Sequence, residues 1–155
     1  MPYAEDLKPG LSRELGHYTV TRSEIIRFAT AWDPQRFHLE DDHGCQTPFD
    51  GLIASGWQTA SIYMRLFVDN FLSDGGGTGS PGVDVLRWPE PVRPGDTLGA
   101  TLTVERIMPS LGHRDRMIAI LRCELRNQHG RIVMSMNLNN MFLRRPSASD
   151  DESAS

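Results

Sequence analysis

Asp33 and His38 are the two side chains of this sequence best placed to move a proton together. They lie five residues apart in Ala31-Trp32-Asp33-Pro34-Gln35-Arg36-Phe37-His38, across a turn that Pro34 stiffens. A carboxylate and an imidazole at that reach can hold one water between them. One group takes a proton from the water while the other orients it or returns a proton elsewhere. Histidine suits the task because its ordinary pKa lies near neutrality. The same spacing also fits a blander pair, an aspartate that ends a helix and a histidine that is partly buried and hydrogen-bonded.

A second element is Leu52-Ile53-Ala54-Ser55-Gly56-Trp57, with Gly56 18 residues after His38. It opens the most apolar stretch of the chain. Free N–H groups at a helix start favour negative charge, and glycine lets a ligand approach the backbone closely. Backbone N–H donors aimed at a carbonyl oxygen that gains charge during a reaction form an oxyanion hole. Tight helix packing is the other reading of Gly56.

Several elements must position these residues. Thr21-Arg22-Ser23-Glu24 fits a capping box, and Ile25, Ile26, Ala29 and Trp32 then fall on one helical stripe. That helix should end at Trp32-Asp33, because a proline disfavours helical geometry in the residue before it. Residues 33–50 read as a long irregular loop, a kind that is often functional. A buried helix from about Leu52 to Phe71 follows. Apart from Arg65 it carries no charge between Asp50 and Asp69, so it should be surrounded by protein. It is too polar for a membrane span, given Ser55, Gln58, Thr59, Ser61 and Arg65.

Around these lie strands. Residues 1–16 read as an extended lead-in and His17 to Val20 as a short strand. Ser73 to Gly82 reads as a glycine-rich surface turn and Val83 to Trp88 as a strand. Leu98, Ala100, Leu102 and Val104 alternate with Thr97, Thr101, Thr103 and Glu105, the period of a half-buried strand. Met117 to Leu125 and Ile132 to Leu138 repeat that pattern, joined by a hairpin at Asn127-Gln128-His129-Gly130. Short connections imply antiparallel pairing. One very apolar helix and one sheet imply an α+β fold in which the sheet curls around the helix.

Composition narrows the function classes. The chain has 155 residues and a net charge of −4, of which Asp150, Asp151 and Glu152 contribute three, leaving −1 for the rest. There is no basic footprint of a nucleic-acid binder. Two distant cysteines, Cys45 and Cys123, form no disulfide framework or zinc pattern and fit a reduced, cytoplasmic setting. The polar N-terminus lacks a secretory pattern. The expected organisation is one domain over residues 1–145 and a disordered tail over 146–155. Glu40-Asp41-Asp42-His43 reads as a solvated acidic loop, not a metal site. Gly75-Gly76-Gly77-Thr78-Gly79 lacks the lysine of a phosphate loop, and Ser55-Gly56 lacks the serine-hydrolase elbow. Met134, Met136 and Met141 read as core filler.

Taken together, Asp33-Pro34-Gln35-Arg36-Phe37-His38 and Phe49-Asp50-Gly51-Leu52-Ile53-Ala54-Ser55-Gly56-Trp57 resemble the MaoC-like dehydratases and the (R)-specific enoyl-CoA hydratases. Trp88-Pro89 and Val92-Arg93-Pro94-Gly95-Asp96 also look like that family's later strand and turn. The resemblance spans roughly residues 18–142. It implies a hot-dog fold, a five- to six-stranded antiparallel sheet around one long central helix, and a homodimer or higher homo-oligomer with sites near the subunit interface. It implies hydration of a trans-2-enoyl thioester such as an acyl-CoA. Asp33 and His38 would handle the water, and the Gly56 N–H would hold the thioester oxygen. Ser55, Trp57, Arg36 and Phe37 are the candidate substrate contacts. Coenzyme A enters as part of the substrate, and no cofactor, metal, nucleic acid or membrane is expected. A hot-dog thioesterase and a non-catalytic acyl-thioester-binding subunit are the alternatives.

Overall fold

A computed structural model describes residues 2–41, 48–72 and 78–146. Strand β1 (Ser12–Thr19) leads into helix α1 (Arg22–Trp32), the short turn of helix α2 (Arg36–Leu39) and helix α3 (Gly56–Asn70). Strands β2 (Gly82–Arg87), β3 (Thr97–Pro109), β4 (Arg116–Arg126) and β5 (Ile132–Leu143) complete the chain. The five strands form one sheet in the order β1-β3-β4-β5-β2. Every neighbouring pair is antiparallel.

The period-two alternation has a direct structural consequence. In β3, Leu98, Ala100, Leu102 and Val104 are buried, and Ala119, Leu121, Cys123 and Leu125 are their counterparts in β4. These side chains share one face of the sheet. Against it lies α3, which buries Ile62, Tyr63, Leu66 and Phe67. The phenol of Tyr63 donates to the Thr101 carbonyl at 3.0 Å. At the other end Asn70 Nδ2 donates to Leu15 O at 2.8 Å. These two bonds fasten the middle and the C-terminal end of the helix to β3 and β1. No described helix is long and apolar enough to cross a membrane.

Several elements differ from the sequence reading. The buried helix begins at Gly56, not Leu52. Leu52, Ile53 and Ala54 are buried but extended, with Ile53 N donating to Phe37 O at 3.0 Å and Ala54 N to Val92 O at 2.8 Å. A short apolar run looks the same as buried strand or buried helix, so periodicity could not separate them. Helix α3 is also not fully surrounded within one chain. Trp57, Met64 and Val68 are exposed along one stripe. Strand β1 begins at Ser12 and is longer than the four residues expected. Only Leu15 is buried in its first half, and a bulge between Glu14 and His17 breaks the alternation. The lead-in is not wholly extended, since Ala4–Asp6 form a 3₁₀ turn whose Ala4, with Leu7, joins the core. The long loop holds one helical turn, α2. Cys123 is buried. Cys45, Asp42, His43, the run Gly75–Gly77 and residues 147–155 lie outside the described residues.

Candidate active site

The site is assembled where α1 ends and α3 begins. Thr21 caps α1 by accepting from Glu24 N, and the Glu24 carboxylate accepts from Thr21 N at 2.9 Å, completing the capping box. Asp33 closes the helix at its other end with φ −151°, its N–H still donating to Ala29 O. Pro34 prevents continuation. The chain then turns back through Gln35, whose carbonyl accepts from His38 N at 2.9 Å, and α2 carries the imidazole inward.

His38 is 5% exposed. Its Nδ1 lies 2.8 Å from the Ile53 carbonyl. A carbonyl only accepts, so Nδ1 carries the proton and Nε2 is the nitrogen left to exchange one. Nε2 lies 3.3 Å from Asp33 Oδ2. The same oxygen accepts from Ser55 Oγ at 2.7 Å, and Asp33 Oδ1 accepts from Gln35 Nε2 at 2.7 Å. These contacts hold the Asp33 carboxyl below its ordinary pKa. The Gln35 hydrogen bond is the largest cause; Ser55 and the neighbouring His38 add to it, against the opposing effect of burial.

Ser55 joins this pair to α3. It is fully buried and is the N-cap residue, its hydroxyl accepting from Trp57 N at 3.2 Å while donating to Asp33. The Gly56 N–H is one of the orphan donors of a helix start, and among the described residues nothing accepts from it. A Cβ on Gly56 would lie 2.6 Å from the indole of Trp88, so the ring lies flat against the glycine. Trp57 meets the same ring edge-on at 5.3 Å between centroids. The arrangement brings together a carboxylate, an imidazole nitrogen and an unclaimed backbone N–H, with an indole as one wall. It can hold a water between the first two and a carbonyl oxygen on the third.

The expected contact residues are placed differently from one another. Ser55 faces Asp33, so its hydroxyl serves the carboxylate. Trp57 is 60% exposed. The Phe37 ring packs between His38, at 4.5 Å, and Phe49, at 5.1 Å. Arg36 points to solvent and pairs with Glu40 one turn on. Gln35, the Ile53 carbonyl and Trp88 are parts of the site that the spacing argument left out. Only Gln35 carried a local signal, being a hydrogen-bonding side chain two residues from Asp33. The other two meet their partners through the fold. Arg93 donates to the Phe49 and Asp50 carbonyls and so braces the loop that precedes α3.

Residues 7–118 match the family model described as the MaoC like domain. The chain belongs to the MaoC-like family. It is 34% identical over 114 residues to the (R)-specific enoyl-CoA hydratase of Rhodospirillum rubrum, covering 69% of this chain and 72% of that one. It is also 34% identical over 80 residues to the Bacillus subtilis protein YdeM, covering 51% of this chain and 56% of that one. The crystal structure of the MaoC-like dehydratase from Rhodospirillum rubrum superposes with a TM-score of 0.87 at 37% identity, covering 95% of this chain and 100% of the other. The sheet wrapped on α3 is the hot-dog fold, as the MaoC-like resemblance implied.

Proposed function

We propose that this MaoC-like chain adds water to, or removes it from, the C2–C3 bond of a trans-2-enoyl thioester such as an acyl-CoA. The family and its hydratase relatives support a hydratase or dehydratase role. The observation that carries the finer reading is the approach of Asp33 Oδ2 and His38 Nε2, 3.3 Å apart, beside the Gly56 N–H, from which no described residue accepts.

In hydration, the thioester oxygen accepts from the Gly56 N–H. The Asp33–His38 pair holds the water and takes one proton as its oxygen bonds to C3. The C2–C3 π electrons move toward the thioester, and the negative charge is carried on its oxygen, where the N–H and the helix start favour it. The pair then returns a proton to C2. Water is added whole, and dehydration runs the same steps backwards. Ser55 and Gln35 fix the carboxylate, and the Ile53 carbonyl fixes the imidazole.

The chain would act as a homodimer or larger homo-oligomer. Trp57, Met64 and Val68 on α3 and Val83, Val85 and Trp88 on or beside the edge strand β2 are exposed, an apolar surface of the kind that marks association.

The test is to incubate the protein with trans-2-enoyl-CoA esters of graded length, following loss of the conjugated double bond and appearance of free thiol separately. Loss of conjugation without thiol is the expected result. Thiol release, or no reaction at any length, would overturn the reading.

A further inference from the structure

Strand β2 contains a costly irregularity. Val85 has φ 55°, in the left-handed region that a β-branched residue rarely occupies. It lies in a bulge, since Asp84 pairs with Asn137 and Arg87 with Ser135, so that Val85 and Leu86 together oppose Met136. One extra residue turns every later side chain to the other face of the sheet. Before the bulge, Asp84 is exposed and accepts from Asn139 Nδ2 at 2.9 Å on the outer face. After it, Leu86 packs on the core, and Trp88, two residues on, lies on the start of α3. Without the bulge the strand would carry Trp88 outward with Asp84. Pro89 then keeps Trp88 extended. Strain retained in this way clusters at sites where it serves a function, and here it aims one indole.

That indole is centred on Gly56. The atoms nearest a Cβ there are Cδ2 and Cε2, both 2.6 Å away, the two carbons shared by the fused rings. The ring system therefore extends past the glycine on both sides, and Trp57 meets it edge-on. Adding one Cα–Cβ bond puts the ring centre about 4 Å from the Gly56 Cα. A carbonyl oxygen that accepts from the Gly56 N–H at about 2.9 Å brings its carbon to a similar distance from the same residue. The carbonyl carbon and the indole are thus neighbours. In a thioester that carbon bears the sulfur and C2. The sulfur is common to every thioester, so the wall can discriminate only at C2. It stands at Gly56 and not along the acyl tail, so it does not measure chain length.

We infer that Trp88 is a specificity-determining residue whose indole restricts the site to thioesters unbranched at C2. This rests on the thioester reading given above, with the carbonyl held at Gly56.

The test measures binding of saturated, unreactive CoA esters to the full chain by isothermal titration calorimetry, using the butyryl, 2-methylbutyryl and hexanoyl esters. The wild type should bind butyryl-CoA at least ~10-fold more tightly than the 2-methyl ester, the usual cost of one misfit carbon. Trp88→Ala should erase that preference and leave the ratio of hexanoyl to butyryl binding unchanged. Equal binding of the butyryl and 2-methylbutyryl esters by the wild type overturns the inference. So does an undiminished preference in Trp88→Ala, or a change in its chain-length ratio as large as that in its branching ratio. The wild-type comparison stands even if the variant does not fold. Hydration of trans-2-butenoyl-CoA measured alongside separates the two claims. Hydration without the branching preference removes the wall alone, and the preference without hydration removes the proposed reaction alone. Absence of both removes both.

Discussion

Replacing Gly56 with alanine perturbs the one point where backbone chemistry and tertiary packing meet. The new Cβ would sit 2.6 Å from two atoms of the Trp88 indole and 3.0 Å from a third. Ordinary contact begins near 3.4 Å, so the ring or the helix start must yield by about 0.8 Å. Overpacking of this kind costs about 1–3 kcal/mol, which for a chain of this length is a fall in Tm of roughly 3–10 °C. If the helix start yields, the Gly56 N–H moves off the thioester oxygen, and losing one such donor costs about 10²–10³ in kcat. Trp88 is 38% exposed and can be trimmed. The assay is therefore a double-mutant cycle of Gly56→Ala, Trp88→Ala and both together, read by thermal melting and by enoyl thioester hydration. The single Gly56→Ala variant should lose stability and rate, and adding Trp88→Ala should recover stability. An alanine at position 56 that melts and turns over like the wild type would refute the packing argument. Equal losses with and without Trp88 would place the effect elsewhere.

Other outcomes follow from single contacts. Gln35→Leu removes the strongest cause of the lowered Asp33 pKa, so the acid limb of kcat/KM should move to higher pH; an unmoved limb would contradict the assignment. Because the folded Asp33 value lies below the unfolded one, this group's stabilising effect is present above about pH 3.9, the unfolded value. It is lost as pH falls through the folded value, and Gln35→Leu should weaken it in acid melts. Thr21→Ala breaks the capping box of α1 and should cost about 0.5–2 kcal/mol by thermal melting. Val68→Glu puts a charge on the exposed stripe of α3 and should reduce the sedimenting mass to that of one chain; an unchanged mass would remove that stripe from the interface.

Much of the site was legible because it is local. Asp33 and His38 sit on one turn, so types and spacing marked them as a candidate pair beside a blander reading, and the resemblance to the MaoC-like family added weight to them and to Gly56. The sheet was legible for a similar reason, since β3, β4 and β5 each bury alternate residues over much of their length. What stayed hidden depends on contacts across the chain. Ser55 reaches Asp33 over 22 residues, and that pairing turns an apparent substrate contact into a support of the carboxylate. Trp88 covers Gly56 only because the sheet edge passes the helix start. The first residues of the central helix were misplaced because Leu52, Ile53 and Ala54 are equally apolar whether extended or helical. The strand Ser12–Thr19 was cut short because its bulge and its exposed side chains leave too little alternation to count.

Hydration of a trans-2-enoyl-CoA ester by Asp33→Asn and by His38→Ala, each beside the wild type, measures the contribution of the pair most directly. Each variant should retain its fold by circular dichroism and lose at least ~100-fold in rate, the scale of losing a positioned acid or base. A folded variant of either kind that hydrates at close to the wild-type rate would show that the water is handled elsewhere.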